Sequence, residues 1–233
     1  MSYNPNDRFK SNLRRVILKE AEKMFEDFTK IIVDFFSNLF LSRKSIKMGI
    51  YGPPNSGKTT LANRVCKDWL GTTMGTTSPI PHETREVKIK EKIEIKKGNK
   101  RLTFNLVDTP GIATKIDYED FLKYKMNEKE AKVRAKEATK GVIESIKWMD
   151  NMDCVLVVVD AAQNPYSQVN LTIIGNLAAR DIPILICANK MDLKKANLKK
   201  VESAFPQYKV IGLSAEKGVG MEEFYSSLFK LVK

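Results

Sequence analysis

The chain has 233 residues, of which 42% are hydrophobic, so it is long enough to bury the core of one domain and to carry an extension. Its net charge of +12 and pI near 9.5 favour negatively charged partners such as RNA, ribosomes or anionic membrane, or indicate only a lysine-rich solvated surface. The single histidine and the three well-separated cysteines exclude a multi-histidine metal cluster and a disulfide framework.

Residues 1–43 are predicted to form an amphipathic helical extension. Apolar residues recur three or four positions apart from Phe9 to Phe40, with basic residues between them. Three roles are open: packing on the domain that follows, lying on a membrane surface, or forming a homodimer or a dock for another protein. Neither a signal peptide nor an apolar run of membrane-spanning length is evident, so we expect a cytoplasmic protein, with peripheral membrane attachment as the alternative.

Strand and helix patterns alternate over residues 44–233, which we assign to a second domain. Strands are predicted near 45–51, 86–96, 101–108, 154–160, 182–188 and 208–213, and helices near 57–70, 128–149, 165–180, 194–205 and 220–232. This alternation predicts an α/β fold with a mostly parallel six-stranded sheet and helices on both faces. The turn at 97–100 makes one strand antiparallel.

The first strand leads into a loop that fits G-x-x-x-x-G-K-[ST], a pattern for binding nucleotide phosphates. Gly52 and Gly57 let the backbone turn tightly, so that several amides point at one anion. Lys58 brings a positive charge to the outer phosphates, and the Thr59 hydroxyl can ligate Mg²⁺. The residues predicted to bind phosphate are Gly52, Pro53, Pro54, Asn55, Ser56, Gly57, Lys58, Thr59 and Thr60.

The third strand is followed by the sequence D-T-P-G. Asp108 places a carboxylate at the strand end facing the phosphate loop, which is where P-loop enzymes hold Mg²⁺. Gly111 is expected to offer its amide to the terminal phosphate and to move when that phosphate leaves. An ordinary strand-to-turn exit would have the same composition, because Asp and Pro-Gly are common there.

The fifth and sixth strands are followed by residues suited to guanine. Asp192 can accept hydrogen bonds from both the ring N–H and the exocyclic amine of guanine, whereas adenine lacks that pair of donors, so discrimination of roughly 10⁴ is within reach. We expect Asn189 to tie this loop to the phosphate loop, the stem of Lys190 to cover the base, and the amide of Ala215 to bind the guanine carbonyl. The residues predicted to bind the base are Asn189, Lys190, Asp192, Ser214, Ala215 and Glu216.

Together these four motifs make the chain resemble P-loop GTPases with the Ras-like fold, and most closely the branch of Era, MnmE and Der. The resemblance is carried by G-P-P-N-S-G-K-T, by D-T-P-G rather than D-T-A-G-Q, and by the passage over 135–161 into V-V-V-D-A. It implies a Mg²⁺-dependent switch that hydrolyses GTP to GDP and phosphate. The likeness to Era and the basic charge imply RNA or the ribosome as partner, although we expect no C-terminal KH domain of the Era kind.

A GTPase also needs a threonine on a movable loop that reaches Mg²⁺ only when the γ-phosphate is present. Thr84 is the preferred candidate because it lies directly before the second strand, as the resemblance implies. Thr77, in a G-T-T similar to that of MnmE, is the alternative. The predicted metal ligands are therefore Thr59, Thr84 and Asp108.

Hydrolysis needs an oriented water. Ras-like enzymes use a glutamine directly after the glycine of the magnesium motif, but this chain has Ile112, which cannot orient water. Pro54 would obstruct an inserted arginine finger, and the resemblance to MnmE implies that Asn55 helps to hold K⁺ in its place; the alternative is that Asn55 only stabilises the turn. The predicted catalytic residues are Lys58, Thr84, Gly111 and Asn55. The missing glutamine leaves another function open: a membrane-associated or scaffold GTP-binding module with negligible turnover.

Overall fold

The computed structural model of the chain describes residues 46–76, 80 and 82–232, so the predicted extension 1–43 lies outside the described residues. The strands of this described part are β1 (Ile46–Tyr51), β2 (Lys88–Lys97), β3 (Lys100–Asp108), β4 (Cys154–Asp160), β5 (Ile184–Asn189) and β6 (Lys209–Gly212). Its helices are α1 (Lys58–Leu70), α2 (Glu119–Leu122), α3 (Glu128–Met149), α4 (Gln168–Ala178), α5 (Leu198–Ala204) and α6 (Met221–Leu231).

These strands form a six-stranded sheet in the order β2-β3-β1-β4-β5-β6. All neighbouring pairs are parallel except β2 with β3, which form the predicted hairpin at the edge. The register of this hairpin shifts between Lys90 and Ile93, where the N–H of Lys92 donates to Asn105 Oδ1 at 2.9 Å. The prediction of a mostly parallel sheet is confirmed, and the carboxyl ends of its five parallel strands meet at one edge.

The sheet has a hydrophobic core on each face. Cys154, Leu156 and Val158 of β4 pack with α1 and α6, while the alternating residues Val155 and Val157 pack with α3, α4 and α5. A strand that is buried on both faces is continuously apolar in sequence, which is what C-V-L-V-V-V shows. The prediction of helices on both faces is therefore confirmed.

Two helices begin later than predicted because capping residues start them. Ser167 accepts a hydrogen bond from the backbone of Asn170 and starts α4, and Asn197 accepts one from the backbone of Lys200 and starts α5. The predicted starts at 165 and 194 were wrong by three and four residues relative to Gln168 and Leu198. In both cases the sequence has a short polar residue directly before a segment in which apolar residues recur at helical spacing.

The charged region over 115–137 contains a short helix as well as the predicted long one. Asn127 and Glu130 form a reciprocal capping box that starts α3. Phe121, Ala131 and Ala138 form a small third core beside it. Part of this region is thus packed rather than purely solvated. Across the described residues, every helix is too short or too polar to cross a membrane.

Candidate functional site

The phosphate loop connects β1 to α1 at the carboxyl edge of the sheet, and two of its glycines are required by close packing. A Cβ atom on Gly57 would lie 2.2 Å from Asn189 Nδ2, and one on Gly52 would lie 2.3 Å from the carbonyl oxygen of Val158. Gly57 also has φ 96°, which favours glycine. The loop therefore curls tightly against the ends of β4 and β5.

Lys58 opens α1 from within this loop and is buried, with Nζ donating to the carbonyl of Pro53 at 2.9 Å. Burial lowers the pKa of Lys58 to about 8, and the nearby carboxylate of Asp108 opposes that shift. A buried ammonium at this position is strongly stabilised when an anion binds beside it. The surroundings of Lys58 thus suit the binding of phosphate oxygens.

The three predicted metal ligands lie together beside Lys58. Thr59 Oγ1 donates to Asp108 Oδ2 at 2.8 Å, and the hydroxyls of Thr59 and Thr84 are 2.9 Å apart. Asp108 Oδ1 is buried and has no hydrogen-bond partner among the described residues, and burial raises the pKa of this carboxyl against the opposing effect of Lys58. A carboxylate and two hydroxyls are the hard oxygen ligands that Mg²⁺ prefers.

Thr84 thus lies with the other two predicted metal ligands, whereas Thr77 lies outside the described residues, and the assignment of the switch threonine stays a prediction. The described part of the chain contains no cluster of three or more His, Cys, Asp and Glu that could hold a metal. The hydroxyl–carboxylate group around Asp108 is therefore the place where the described residues fit Mg²⁺.

A cavity of about 370 Å³ opens in front of these ligands. Asn55 lies on its wall in the left-handed conformation with φ 58°, and Gly111 closes one side. A Cβ atom on Gly111 would lie 2.9 Å from Pro54 Cα, so the D-T-P-G turn packs directly on the phosphate loop. The lining residues are Pro54, Asn55, Gly57, Lys58, Thr59, Thr60, Thr76, His82, Glu83, Thr84, Gly111 and Lys190.

A smaller cavity of about 80 Å³ lies at the predicted base end. Asn189 Nδ2 donates to the carbonyl of Ser56 at 2.9 Å, and Asn189 Oδ1 accepts from the amide of Ala215 at 3.0 Å. Asn189 thereby joins three loops. Because the Ala215 amide already donates to Asn189, its predicted bond to the guanine carbonyl requires sharing or exchange of this N–H. The lining residues are Gly57, Thr60, Asn189, Lys190, Asp192, Leu193, Ser214 and Glu216.

Two charged side chains of the base end are held by neighbours. A hydrogen bond with Ser214 keeps the pKa of Asp192 below its usual range, so its carboxylate is ionised and able to accept. Lys190 Nζ donates to Asp160 Oδ2 at 2.7 Å, which fixes the end of the stem predicted to cover the base. In the sequence Asp160 stands out only as part of V-V-V-D-A, and its ion pair with Lys190 was not predicted.

Arg64 was not predicted, yet it braces the base loop from α1. Its Nε donates to the carbonyl of Ala215 at 3.0 Å and its Nη2 to that of Glu216 at 2.7 Å. Its Nη1 lies 3.8 Å from Asp68. Nothing in the sequence near Arg64 signals this contact, because it joins residues more than 150 positions apart.

His82, which sequence reasoning set aside as the only histidine, lies in the wall of the phosphate cavity. Its side chain is buried and its backbone adopts φ 57°. Burial and the charge of Lys58 lower its pKa to about 4, against a backbone hydrogen bond with Gly111, so the ring is neutral near pH 7. Nδ1 has no hydrogen-bond partner among the described residues.

Two ion pairs join the segment that carries Thr84 to α3. Arg134 Nη2 donates to Glu83 Oε2 at 3.1 Å, and Arg85 Nη1 lies 3.1 Å from Glu137 Oε2. The guanidinium of Arg134 is only 5% exposed, and its Nε and Nη1 lack hydrogen-bond partners among the described residues. This connection was also missed, because the two members of each pair are about 50 residues apart in the chain.

Comparisons with known proteins agree with this geometry. The family described as 50S ribosome-binding GTPase matches residues 47–190. The tRNA modification GTPase MnmE of Aquifex aeolicus (strain VF5) is 29% identical over 217 residues, which are 93% of this chain and 41% of that protein. GTPase Era of Carboxydothermus hydrogenoformans is 29% identical over 197 residues, or 82% of this chain and 57% of that protein.

Solved structures of Era share the fold of this chain. A crystal structure of Era in complex with MgGDPNP and part of 16S ribosomal RNA superposes with a TM-score of 0.62 at 21% identity, covering 81% of this chain and 57% of that one. The chain spans about half the length of the relatives it matches. Since the family match extends over more than half of the chain and contains both the phosphate loop and D-T-P-G, the chain belongs to the family of 50S ribosome-binding GTPases, within the P-loop GTPases.

Proposed function

We propose that this chain is a Mg²⁺-dependent switch that binds GTP, hydrolyses it to GDP and phosphate, and acts on RNA or the ribosome. The observation that carries the proposal is the convergence of Thr59, Thr84 and Asp108 beside the buried Lys58. Asn189 connects this phosphate end to the loops of the base end. One continuous edge of the sheet thus offers partners for phosphates, metal and base.

In this reading the phosphate loop cradles the phosphates with its backbone amides, and Lys58 balances their charge. Mg²⁺, when held by Thr59, Thr84 and Asp108, supplies charge neutralisation at the outer phosphates. Thr84 and Gly111 are the parts whose contacts depend on the γ-phosphate. Thr84 lies between Glu83 and Arg85, which both pair with α3, so loss of that phosphate would loosen the connection between Glu83 and Arg134.

Phosphate release from purified protein tests the hydrolytic part. We expect turnover that requires Mg²⁺ and rises when Na⁺ is replaced by K⁺ at equal ionic strength, because Asn55 lies on the wall of the phosphate cavity. Asn55→Ala should abolish the difference between K⁺ and Na⁺ while leaving turnover in Na⁺ nearly unchanged. Equal rates of the unaltered protein in both salts would exclude K⁺ stimulation.

The distribution of charge supports an RNA or ribosomal partner. Residues 1–43 hold eight basic and six acidic side chains, so most of the net charge of +12 belongs to residues 44–233. The hairpin over 88–101 holds seven basic side chains against two acidic ones at the edge of the sheet. Glu94 already pairs with Lys96 and Arg101, at 3.1 Å and 3.2 Å. This exposed, positively charged edge is suited to phosphate backbones.

Co-sedimentation with ribosomal subunits, with GDP or a non-hydrolysable GTP analogue, tests this partner. We expect binding with the GTP analogue that weakens as salt rises. Replacing Lys92, Lys97 and Lys100 of the hairpin by Gln should reduce this binding. Replacing Lys194, Lys195 and Lys199, which follow β5 at the other end of the strand order, should have less effect. Binding that is insensitive to salt and to both triple variants would contradict the proposal.

A second candidate function is a GTP-binding module with negligible turnover. It is favoured by the burial of Ile112, which is 3% exposed and packs in the core.

For either function we propose that residues 1–43 are a separate segment that binds a membrane surface or forms a homodimer. We also propose that the protein is cytoplasmic, since Cys66, Cys154 and Cys187 are buried free thiols. Flotation with anionic liposomes, comparing the whole chain with residues 42–233, tests the membrane role; equal binding would exclude it.

A further inference from the structure

The hydrolytic site has a gap at the place where a water must be oriented. Ile112 follows Gly111, but its side chain is buried in the core with Tyr51 and Val107, and its N–H donates to the carbonyl of Gly52 at 3.2 Å. An apolar side chain directed into the core offers a water neither a donor nor an acceptor. A residue from another segment has to supply the hydrogen bond.

His82 is the described side chain best placed to supply it. Its ring borders the cavity that holds Lys58, Thr84 and Gly111. It also borders an adjoining cavity of about 260 Å³ that opens towards Lys115 and Asp120. Of the residues that line these spaces, only Pro54 and His82 line both, so His82 lies between the phosphate cavity and the second one.

The ring is held there by specific contacts. One side of it makes a hydrogen bond with the backbone of Gly111, and the ring packs against Phe121 with 6.3 Å between centroids. The side chain is 8% exposed, yet Nδ1 has no hydrogen-bond partner among the described residues. A histidine that serves only the core normally has its polar atoms satisfied, because a buried nitrogen without a partner is destabilising. Because no described residue occupies Nδ1, this nitrogen is available to accept a hydrogen bond from a ligand.

We propose that His82 orients the attacking water in GTP hydrolysis by accepting a hydrogen bond at Nδ1. The water oxygen bonds to the γ-phosphorus, and the bond from that phosphorus to the β–γ bridging oxygen breaks. The proton that the water loses passes to a phosphate oxygen, and His82 takes up no proton. The role is hydrogen bonding and placement, which is what phosphoryl transfer mainly requires of the protein.

The same contacts connect this role to the nucleotide. Thr84, two residues after His82, is within hydrogen-bond distance of Thr59, and Gly111 contacts both the ring and the phosphate loop. The position of the ring is therefore set by the two segments that respond to the γ-phosphate. His82 is expected to be in place only while both of them are closed over the nucleotide.

The inference rests on the proposed GTP hydrolysis, and single-turnover phosphate release from the full chain tests both separately. We expect His82→Ala to slow hydrolysis by about 10² while changing the affinity for GDP less than about twofold. His82→Gln, which keeps an acceptor, should recover much of the rate, and His82→Phe, which keeps the packing against Phe121, should not. Lys123→Ala, in the adjoining cavity, is the matched control and should hydrolyse GTP normally.

Binding of GDP with aluminium fluoride, a mimic of the transferring phosphoryl group, gives a second readout that mere packing would not change. We expect His82→Phe to bind GDP but to lose the fluoride-dependent complex. Hydrolysis by His82→Ala within twofold of the unaltered chain, or a loss of GDP affinity in proportion to the loss of rate, overturns the role of His82. No turnover by the unaltered chain overturns the proposed function itself.

Discussion

The two ends of the nucleotide site are built differently. At the base end, Asn189, Lys190 and Arg64 each donate to a named partner, so the loops are fixed by hydrogen bonds within the protein. At the phosphate end, buried polar atoms lack hydrogen-bond partners among the described residues. These atoms are Ser56 Oγ, His82 Nδ1 and Asp108 Oδ1.

This difference separates recognition from switching. A pre-formed base end can select guanine at little ordering cost, because its loops are already in place. Under the proposed function, a phosphate end with unsatisfied buried groups would gain stability when phosphate and Mg²⁺ bind, and it would lose part of that gain when the γ-phosphate leaves. The comparison therefore predicts that base-end changes affect mainly nucleotide choice and release, whereas phosphate-end changes affect mainly hydrolysis.

The largest effect is expected at Asp192. Asp192→Ala removes the acceptor for both guanine donors, so the preference for GDP over ADP should fall by about 10⁴. Equilibrium titration with both nucleotides measures it. The control is Glu202→Ala, which removes an exposed carboxylate of α5 that lines neither the phosphate cavity nor the base cavity. An unchanged preference in Asp192→Ala would show that the base is read elsewhere.

The next effect concerns the switch threonine. Thr84→Ala should reduce GTP hydrolysis by about 10² through the loss of a metal ligand and of its contact with Thr59, while GDP binding changes little. Thr77→Ala is the matched control and should keep most of the activity. Phosphate release at saturating Mg²⁺ distinguishes them, and the reverse order of the two variants would reassign the switch threonine.

A smaller effect is expected from the ion pair between Glu83 and Arg134. Glu83→Gln removes the charge that compensates a nearly buried guanidinium, and the free energy of unfolding should fall by about 1–2 kcal/mol, since Glu83 itself is partly exposed. Urea unfolding monitored by circular dichroism measures it. Lys123→Gln, which breaks a surface pair with Asp120, should cost far less. Similar losses in both variants would show that this pair contributes no more than a surface pair.

The smallest effect is expected at Arg64. Arg64→Lys keeps the charge but cannot bridge the carbonyls of Ala215 and Glu216 with one planar fork, so GDP should dissociate about fivefold faster. Stopped-flow release of a fluorescent GDP measures the rate. The hydrolysis step itself should be unchanged, and a slower hydrolysis step at an unaltered release rate would place Arg64 with the phosphate end instead.

Local signals in the sequence were sufficient for the fold and for most of the candidate site. The continuous apolar run of β4 and the turn at 97–100 each specify their element, and the phosphate-loop pattern predicts which strand end forms the phosphate site. Helix starts were misplaced where Ser167 and Asn197 were not weighed as caps. His82, Arg64 and Arg134 were missed for a different reason: their partners are 29 to 152 residues away, so only the folded chain brings them together.

Equilibrium binding of GDP and ADP to the purified chain, with and without Mg²⁺, tests the central claim most directly. If the edge of the sheet binds a magnesium-bound guanine nucleotide, GDP should bind at least about 10⁴ more tightly than ADP, and chelation of Mg²⁺ should weaken the binding of GDP. Equal affinities for the two nucleotides, or GDP binding that is indifferent to Mg²⁺, would contradict the account.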